Sequence, residues 1–244
     1  MLKKTSKEVT VLTAFSECSY APNLKLLKPL KGAVKFLNMN SLRGIIAAYV
    51  SAERKKEDQR FCDSVLATQR FLPFKDASMR ERARHYSTDL DNVNREPIYG
   101  SVFKAIENCA SSGAYDSVLC PLAVGNHVDH MIVLKACLQM LEKDKDISAE
   151  VFFYEDLPYA STYELDFIRS LALKRTGARE PLFVDITVEM PLKQKLVDIY
   201  HSQLGNETKE SISHHARRLY MSWEKRTRLT GYCERFWRLG LAKH

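Results

Sequence analysis

Pro121-Leu-Ala-Val-Gly-Asn-His-Val-Asp-His130 is the stretch whose reading decides the fold of this chain. Before it, Asp116-Ser-Val-Leu-Cys120 is short and largely apolar, which predicts a buried strand. After it, Met131-Ile-Val-Leu-Lys-Ala-Cys-Leu-Gln-Met-Leu141 predicts a helix. The stretch between is then a strand-to-helix turn containing Gly125, with His127, Asp129 and His130 at the mouth of the helix. In an open α/β sheet, ligands bind in the crevice beyond the carboxyl ends of the strands. Two imidazoles and a carboxylate within four residues offer a metal ligand, an acid–base group and an orienting partner. The same residues also suit a capped helix start, because a carboxylate is favourable near the positive end of the helix dipole. Spacing leaves both readings open. His-x-x-His is not the i, i+4 spacing of a helical zinc pair, and a catalytic zinc site uses three protein ligands.

Outward from the turn, strands and helices alternate. Downstream, Glu150-Val-Phe-Phe-Tyr154 predicts a strand with Glu155 and Asp156 at its end. Residues 162–174 predict a helix stopping near Gly177, and residues 181–187 a further strand. Residues 190–204 and 210–225 predict helices. Upstream, residues 98–110 predict a helix with Val102, Phe103, Ile106 and Ala110 on one face, ending near Ser111-Ser-Gly113. Residues 8–15 predict a buried strand. Residues 41–66 predict a long helix with a stripe of Ile45, Ile46, Tyr49, Val50 and Ala52. Residues 70–74 predict a short strand, confined to an edge or a strand end by Pro73. Residues 16–40, with prolines at 22 and 29, predict a long loop with room for a short helix. Residues 76–96, with Arg80, Arg82, Arg84, His85 and Tyr86, predict a polar segment over a site or along the surface. The alternation argues an α/β fold, a Rossmann-like three-layer arrangement with a mostly parallel sheet. No G-x-G-x-x-G or P-loop sequence occurs, so neither a dinucleotide nor a nucleoside triphosphate site is readable.

The chain has 244 residues, enough for one α/β domain with a substantial core. No apolar run reaches the roughly 20 residues of a transmembrane helix, and Met1-Leu-Lys-Lys-Thr-Ser-Lys lacks the apolar stretch of a secretory signal. Six scattered cysteines with no C-x-x-C predict free thiols in a reducing compartment, the cytoplasm, without a disulfide framework. The net charge is +7. Much of the excess lies in His214-His-Ala-Arg-Arg218 and Lys225-Arg-Thr-Arg228, within a helical, basic C-terminal part spanning about 190–244. Such a patch can meet nucleic acid, anionic lipid or an anionic substrate, and equally forms a solvated helical face. No helix-turn-helix, RNA-recognition or zinc-finger pattern supports a nucleic-acid partner.

Gly125-Asn-His-Val-Asp-His130 after Cys120-Pro-Leu resembles the second signature of the PIG-L/LmbE family of zinc-dependent de-N-acetylases. Other segments resemble that family in order. Val9-Thr-Val-Leu-Thr-Ala-Phe15 with Ser19-Tyr-Ala-Pro22 resembles its second strand, and Glu53-Arg-Lys-Lys-Glu-Asp58 its Arg-rich, Glu-Asp helix. Phe74-Lys-Asp-Ala77 resembles the strand-end loop that follows. Tyr154-Glu-Asp-Leu-Pro-Tyr-Ala160 resembles a later strand end, and Tyr200-His-Ser-Gln-Leu204 a late helix. The family's opening His-Pro-Asp-Asp or His-Leu-Asp-Asp motif, source of two zinc ligands and the general base, does not occur; the first histidine is His85. On this alignment the family's N-terminal strand is missing. The alternative sets Ala14-Phe-Ser-Glu-Cys-Ser19 against the opening motif, with Phe15 in place of the ligand histidine and Glu17 and Cys18 near the acidic pair.

The resemblance implies a single deacetylase domain over residues 1–244 and a hydrolase that removes the N-acetyl group from a small-molecule N-acetylated sugar or glycoconjugate. It implies Zn2+ as cofactor with His130 as a ligand. It implies His127 as an imidazolium facing the substrate carbonyl, Asp129 as its orienting carboxylate, and Arg54 and Asp76 as substrate-facing residues. A chain without the opening motif would be incomplete or inactive as a catalyst; a non-catalytic sugar- or glycolipid-binding relative is the alternative.

Overall fold

The computed structural model describes residues 8–20, 39–80, 89–110, 115–143, 149–224 and 228–239. The expected features at 21–38, at Arg82, Arg84, His85 and Tyr86, at 111–113 and at 225–227 lie outside the described residues. In chain order the elements are β1 (Thr10–Thr13), α1 (Met39–Val65), β2 (Thr68–Phe71), α2 (Tyr99–Ala110), β3 (Ser117–Pro121), α3 (Val128–Lys143), β4 (Glu150–Tyr154), α4 (Leu165–Thr176), β5 (Pro181–Asp185), α5 (Met190–Val197), α6 (Asn206–Ser222) and β6 (Cys233–Arg238). They form a mixed α/β chain with two sheets that falls into two compact units, Met1–Ala83 with Glu189–Lys209 and Arg84–Val188 with Glu210–His244.

In the first unit β1 and β2 pair in parallel, Thr10 opposite Thr68 through Thr13 opposite Phe71, with α1 as the connection. The inward face of α1 differs from the expected stripe. Ala47, Val50, Ser51, Glu57 and Cys62 are buried, whereas Ile45 and Ala52 are exposed. Polar residues hold this face because each has a partner there. Ser51 Oγ accepts from the Cys18 backbone N–H and donates to the Cys18 carbonyl, at 2.9 and 3.1 Å. The Glu57 carboxylate accepts from the N–H and hydroxyl of Ser202 at 2.8 and 2.6 Å and from Gln203 Nε2 at 3.2 Å. Those bonds explain why the expected helix over 190–204 ends early: α5 stops at Val197 and tightens into the 3-10 turn Asp198–Tyr200, which frees Ser202 and Gln203 to reach Glu57. Helix α1 ends in a left-handed residue, Leu66 at φ 53°. The Leu66 N–H bonds the Asp63 carbonyl and the Ala67 N–H the Cys62 carbonyl, a Schellman ending made without glycine.

The larger sheet lies in the second unit, in the order β3-β4-β6-β5. Strands β3 and β4 are parallel, with Ser117 opposite Glu150 and Pro121 opposite Tyr154. Strand β6 is antiparallel to both β4 and β5. The expectation of a mostly parallel sheet is corrected here: two of this sheet's three pairings are antiparallel because β6 inserts between β4 and β5. Within the C-terminal part expected to be helical, α5 and α6 are helices and Cys233–Arg238 is this strand. Its inward positions are Cys233, Arg235 and Trp237, and the arginine breaks the apolar alternation that identifies a strand. Arg235 is tolerated inside because its Nε donates to Glu155. Buried Phe153, Trp237, Met131, Ile132, Leu134, Ile168, Leu219 and Tyr220 fill the core of this unit, each large apolar side chain contributing about 1.5–3 kcal/mol on burial. Helix α4 ends at Gly177, left-handed at φ 70°, as the sequence predicts. All six cysteines are free thiols, and among the described residues no helix is long and apolar enough to cross a membrane.

Candidate functional site

The parallel register of β3 and β4 brings two chain segments to the same sheet end, residues 122–130 and 155–160. Leu122, Ala123 and Val124 are fully buried, so their backbone groups need partners inside the protein. The Leu122 N–H bonds the Tyr154 carbonyl at 2.8 Å, and the Val124 N–H bonds Asp156 Oδ2 at 2.9 Å. Arg175, on α4, donates from Nη1 to the Leu122 and Ala123 carbonyls at 2.9 and 2.7 Å and from Nη2 to Asn126 Oδ1. These bonds hold a strained backbone: Ala123, Gly125 and Asn126 sit at φ 61°, 90° and 61°. A left-handed non-glycine residue costs about 1–2 kcal/mol. Gly125 is required twice over, because a Cβ there would also lie 2.8 Å from Cβ of Tyr159.

The turn delivers His127 to the start of α3. The Met131 N–H bonds the His127 carbonyl at 3.0 Å, and the Asp129 N–H bonds His127 Nδ1 at 3.3 Å, so the His127 ring caps the helix. The Asp129 carboxylate stands 3.9 Å from Nδ1, outside hydrogen-bond reach, and it is the backbone N–H of Asp129 that contacts the ring. One helical turn on, His130 Nδ1 lies 2.6 Å from Asp156 Oδ1. The Asp156 side chain is 1% exposed and that of His130 34% exposed. Burial lowers the His130 pKa, but the hydrogen bond and charge of Asp156, with the charge of Asp129, outweigh it and push the ring above its ordinary value. The His127 and His130 rings are 5.4 Å apart, and Tyr159 meets His130 edge-on at 5.7 Å.

His127, Asp129 and His130 are thus brought together with Asp156. The sequence places Asp156 only at the end of a predicted strand; its place just past β4, beside β3, is what brings it to His130. Arg175 carried no sequence signal, since nothing in a helix sequence says that one arginine folds back onto a distant turn. Arg54 and Asp76 lie in the first unit. Arg54 Nη2 donates to the Tyr20 carbonyl at 2.8 Å. Asp76 caps the 3-10 turn Ala77–Met79, accepting from the Ser78 N–H and hydroxyl at 3.0 and 2.6 Å. Cys18 of the alternative alignment is buried, and burial, with the Asp76 hydrogen bond, pushes its thiol up to about 11. Among the described residues, no group of three or more His, Cys, Asp or Glu side chains is arranged to hold a metal ion. His130 would be one donor; the described residues do not complete a three-ligand zinc site.

A second carboxylate–histidine pair lies beside the first. Glu155 accepts from His215 Nε2 at 2.8 Å, from Arg235 Nε and from Trp237 Nε1 at 3.1 Å. Burial would raise the Glu155 pKa, but the His215 hydrogen bond and the Arg235 charge outweigh it and hold the carboxyl below its usual value.

No family model matches the chain. It is 31% identical over 179 residues to the 2'-N-acetylparomamine deacetylase of Streptomyces fradiae, a match covering 72% of this chain and 62% of that protein. The chain therefore spans less than two thirds of that relative's length. Among solved structures it is similar to a deacetylase of teicoplanin biosynthesis, with a TM-score of 0.65 and 21% identity over 97% of this chain and 88% of that one. It is also similar to the A40926 pseudoaglycone deacetylase, with a TM-score of 0.63 and 20% identity over 97% and 86%. The 4-carboxy-2-hydroxymuconate hydratase of a Pseudomonas strain superposes with a TM-score of 0.54 and 12% identity over 97% and 85%. The structural similarities show the fold, which deacetylases share with a hydratase, so activity has to be argued from the site.

Proposed function

We propose that this chain is a hydrolase that removes the N-acetyl group from an N-acetylated sugar or glycoconjugate. The observation that carries the reading is the pair of imidazoles, 5.4 Å apart, held at the β3 and β4 ends with Asp129 and Asp156. Similarity to a 2'-N-acetylparomamine deacetylase supports it. Amide hydrolysis needs a polarised carbonyl, an activated water and a proton for the departing amine. When bound, zinc supplies the first two by accepting the carbonyl oxygen and bringing a water to a pKa of about 7. The described donors do not complete its site. His127 serves as the proton donor toward the carbonyl oxygen or the leaving nitrogen. Asp129, at the first turn of α3, fixes that ring through its backbone N–H. His130 presents its second nitrogen from a ring oriented by Asp156.

Acetate release from 2'-N-acetylparomamine and from N-acetylglucosamine glycosides tests the reading. The native chain is expected to release acetate, and H127A and H130A to lower the rate by about 100-fold or more without a matching fall in melting temperature. No acetate from any acetylated sugar, with and without added zinc, would overturn it. The incomplete described donor set favours one second reading, a non-catalytic sugar-binding relative, which sugar binding without acetate release would select. Zinc content of the purified chain beside H130A separates the two further: about one zinc per chain, lost in the variant, supports the hydrolase.

A further inference from the structure

His127 and His130 meet opposite chemistry on the same ring atom. At His127, Nδ1 faces the backbone N–H of Asp129 at 3.3 Å. An amide N–H only donates, so this Nδ1 is bare, and a neutral His127 ring carries its proton on Nε2. At His130, Nδ1 faces Asp156 Oδ1 at 2.6 Å. A carboxylate only accepts, so this Nδ1 carries the proton, and a neutral His130 ring has its lone pair on Nε2. We propose that Asp156 is a positioning residue that, together with the N-terminus of α3, holds His127 and His130 in opposite tautomers, so that His127 offers an N–H and His130 a lone pair.

The surroundings make each choice hard to reverse. Asp156 cannot turn away from His130 without also leaving the Val124 N–H, which is buried and would lose its acceptor. The Asp156 carbonyl is fixed in turn by the Ala160 N–H at 2.8 Å. Arg175 clamps the other side of the same turn, so the segment that carries His127 does not slide relative to Asp156. At His127, a proton on Nδ1 would point at the Asp129 N–H and at the positive end of α3. The consequence is a division of labour between two rings in contact. One is set to accept a proton or bind an electrophile, the other to donate to an oxygen or nitrogen, before any substrate arrives. This deepens the hydrolase reading and, for its chemical meaning, rests on it. The tautomers themselves do not.

Long-range 15N–1H correlation of the histidine rings tests the proposal, at a pH high enough that both rings are neutral and with each ring assigned by a His→Gln substitution. In the native chain His130 is expected to be protonated on Nδ1 and His127 on Nε2. In D156A, His130 is expected to lose its Nδ1 proton in favour of Nε2. His215, whose Nε2 meets Glu155 in the same unit, should keep its pattern and so reports that the fold is retained. In D156N, whose amide oxygen can still accept, the native tautomer should be partly restored. Acetate release by D156A should fall 10- to 100-fold through kcat rather than KM. A native His130 protonated on Nε2, or a D156A His130 unchanged from the native one, would overturn the proposal. If D156A does not fold, the native assignments decide. Native tautomers as expected, with no acetate released, would leave the positioning role standing and overturn the hydrolase reading alone.

Discussion

Glu155 and Asp156 are neighbours in sequence, each bonded to a histidine, and they end in two different environments. The Glu155–His215 pair is sealed: both side chains are almost fully buried, and Arg235 and Trp237 occupy the remaining approach to the carboxylate. The Asp156–His130 pair is sealed on the carboxylate side only, and a third of the His130 side chain is exposed. The chemistry of the two pairs is nearly the same. What separates scaffold from candidate site is the exposure of the imidazole, enclosed in one pair and partly open in the other. Alternation along one strand end sends two adjacent carboxylates to opposite sides, so one region anchors the sheet and the other orients a ring.

The strongest way to break this comparison is at the sealed pair. Arg235→Met would leave Glu155 as a buried carboxylate without its cation, and unfolding should become easier by about 3–5 kcal/mol. The double variant E155Q/R235M should recover a substantial part of that loss in the same denaturant titration. At the open pair, Gly125→Ala should cost about 2–4 kcal/mol, combining a left-handed alanine with the contact at Tyr159. A loss under 1 kcal/mol would show that the turn relaxes and that the histidines are less firmly placed than the geometry implies.

Acidity sharpens the comparison because the two pairs fail at opposite ends of the scale. Glu155 is held below its ordinary value of 4.5. Its contribution is complete above that value and is lost as pH falls through the folded-state pKa. His130 is raised above 6.5. Its contribution is complete below that value and is lost as pH rises through the folded-state pKa. Melting temperature against pH should therefore decline on both limbs, with E155Q flattening the acid limb and D156N the alkaline one. The smallest effect is expected far from both pairs. Leu66→Gly would relieve a left-handed leucine at the end of α1 and raise stability by about 0.5–1 kcal/mol, read as a shift in urea midpoint at constant slope.

Much of the site was legible in the sequence, because a short apolar run, a glycine and a helical pattern occur in immediate succession around His127 and His130. Strand β4 and the end of α4 at Gly177 were legible for the same local reason. What the sequence concealed is non-local. The inward face of α1 is built on Ser51 and Glu57, whose burial makes sense only once Cys18 and Ser202 are in place. Strand β6 carries Arg235 at a core position, which reads as polar until Glu155 is known to face it. Arg175 and Asp156 hold the turn from 52 and 32 residues away in sequence. Periodicity reports which residues avoid water; it is silent on polar residues that enter the interior in matched pairs.

The place of β6 has a consequence for how the chain is made. It is the last of the described strands to leave the ribosome, and it pairs Arg238 with Phe152 and Trp237 with Pro181. Until it emerges, β4 and β5 have been synthesised but have no partner between them, and Glu155 waits without Arg235 or Trp237. Assembly of this sheet is therefore a late event in synthesis, closed by contacts of long sequence separation, the kind that form slowly. A nascent chain stalled before Cys233 would carry two unfinished strand edges and a Glu155 carboxylate with His215 but neither Arg235 nor Trp237, a species suited to capture by chaperones and prone to aggregate.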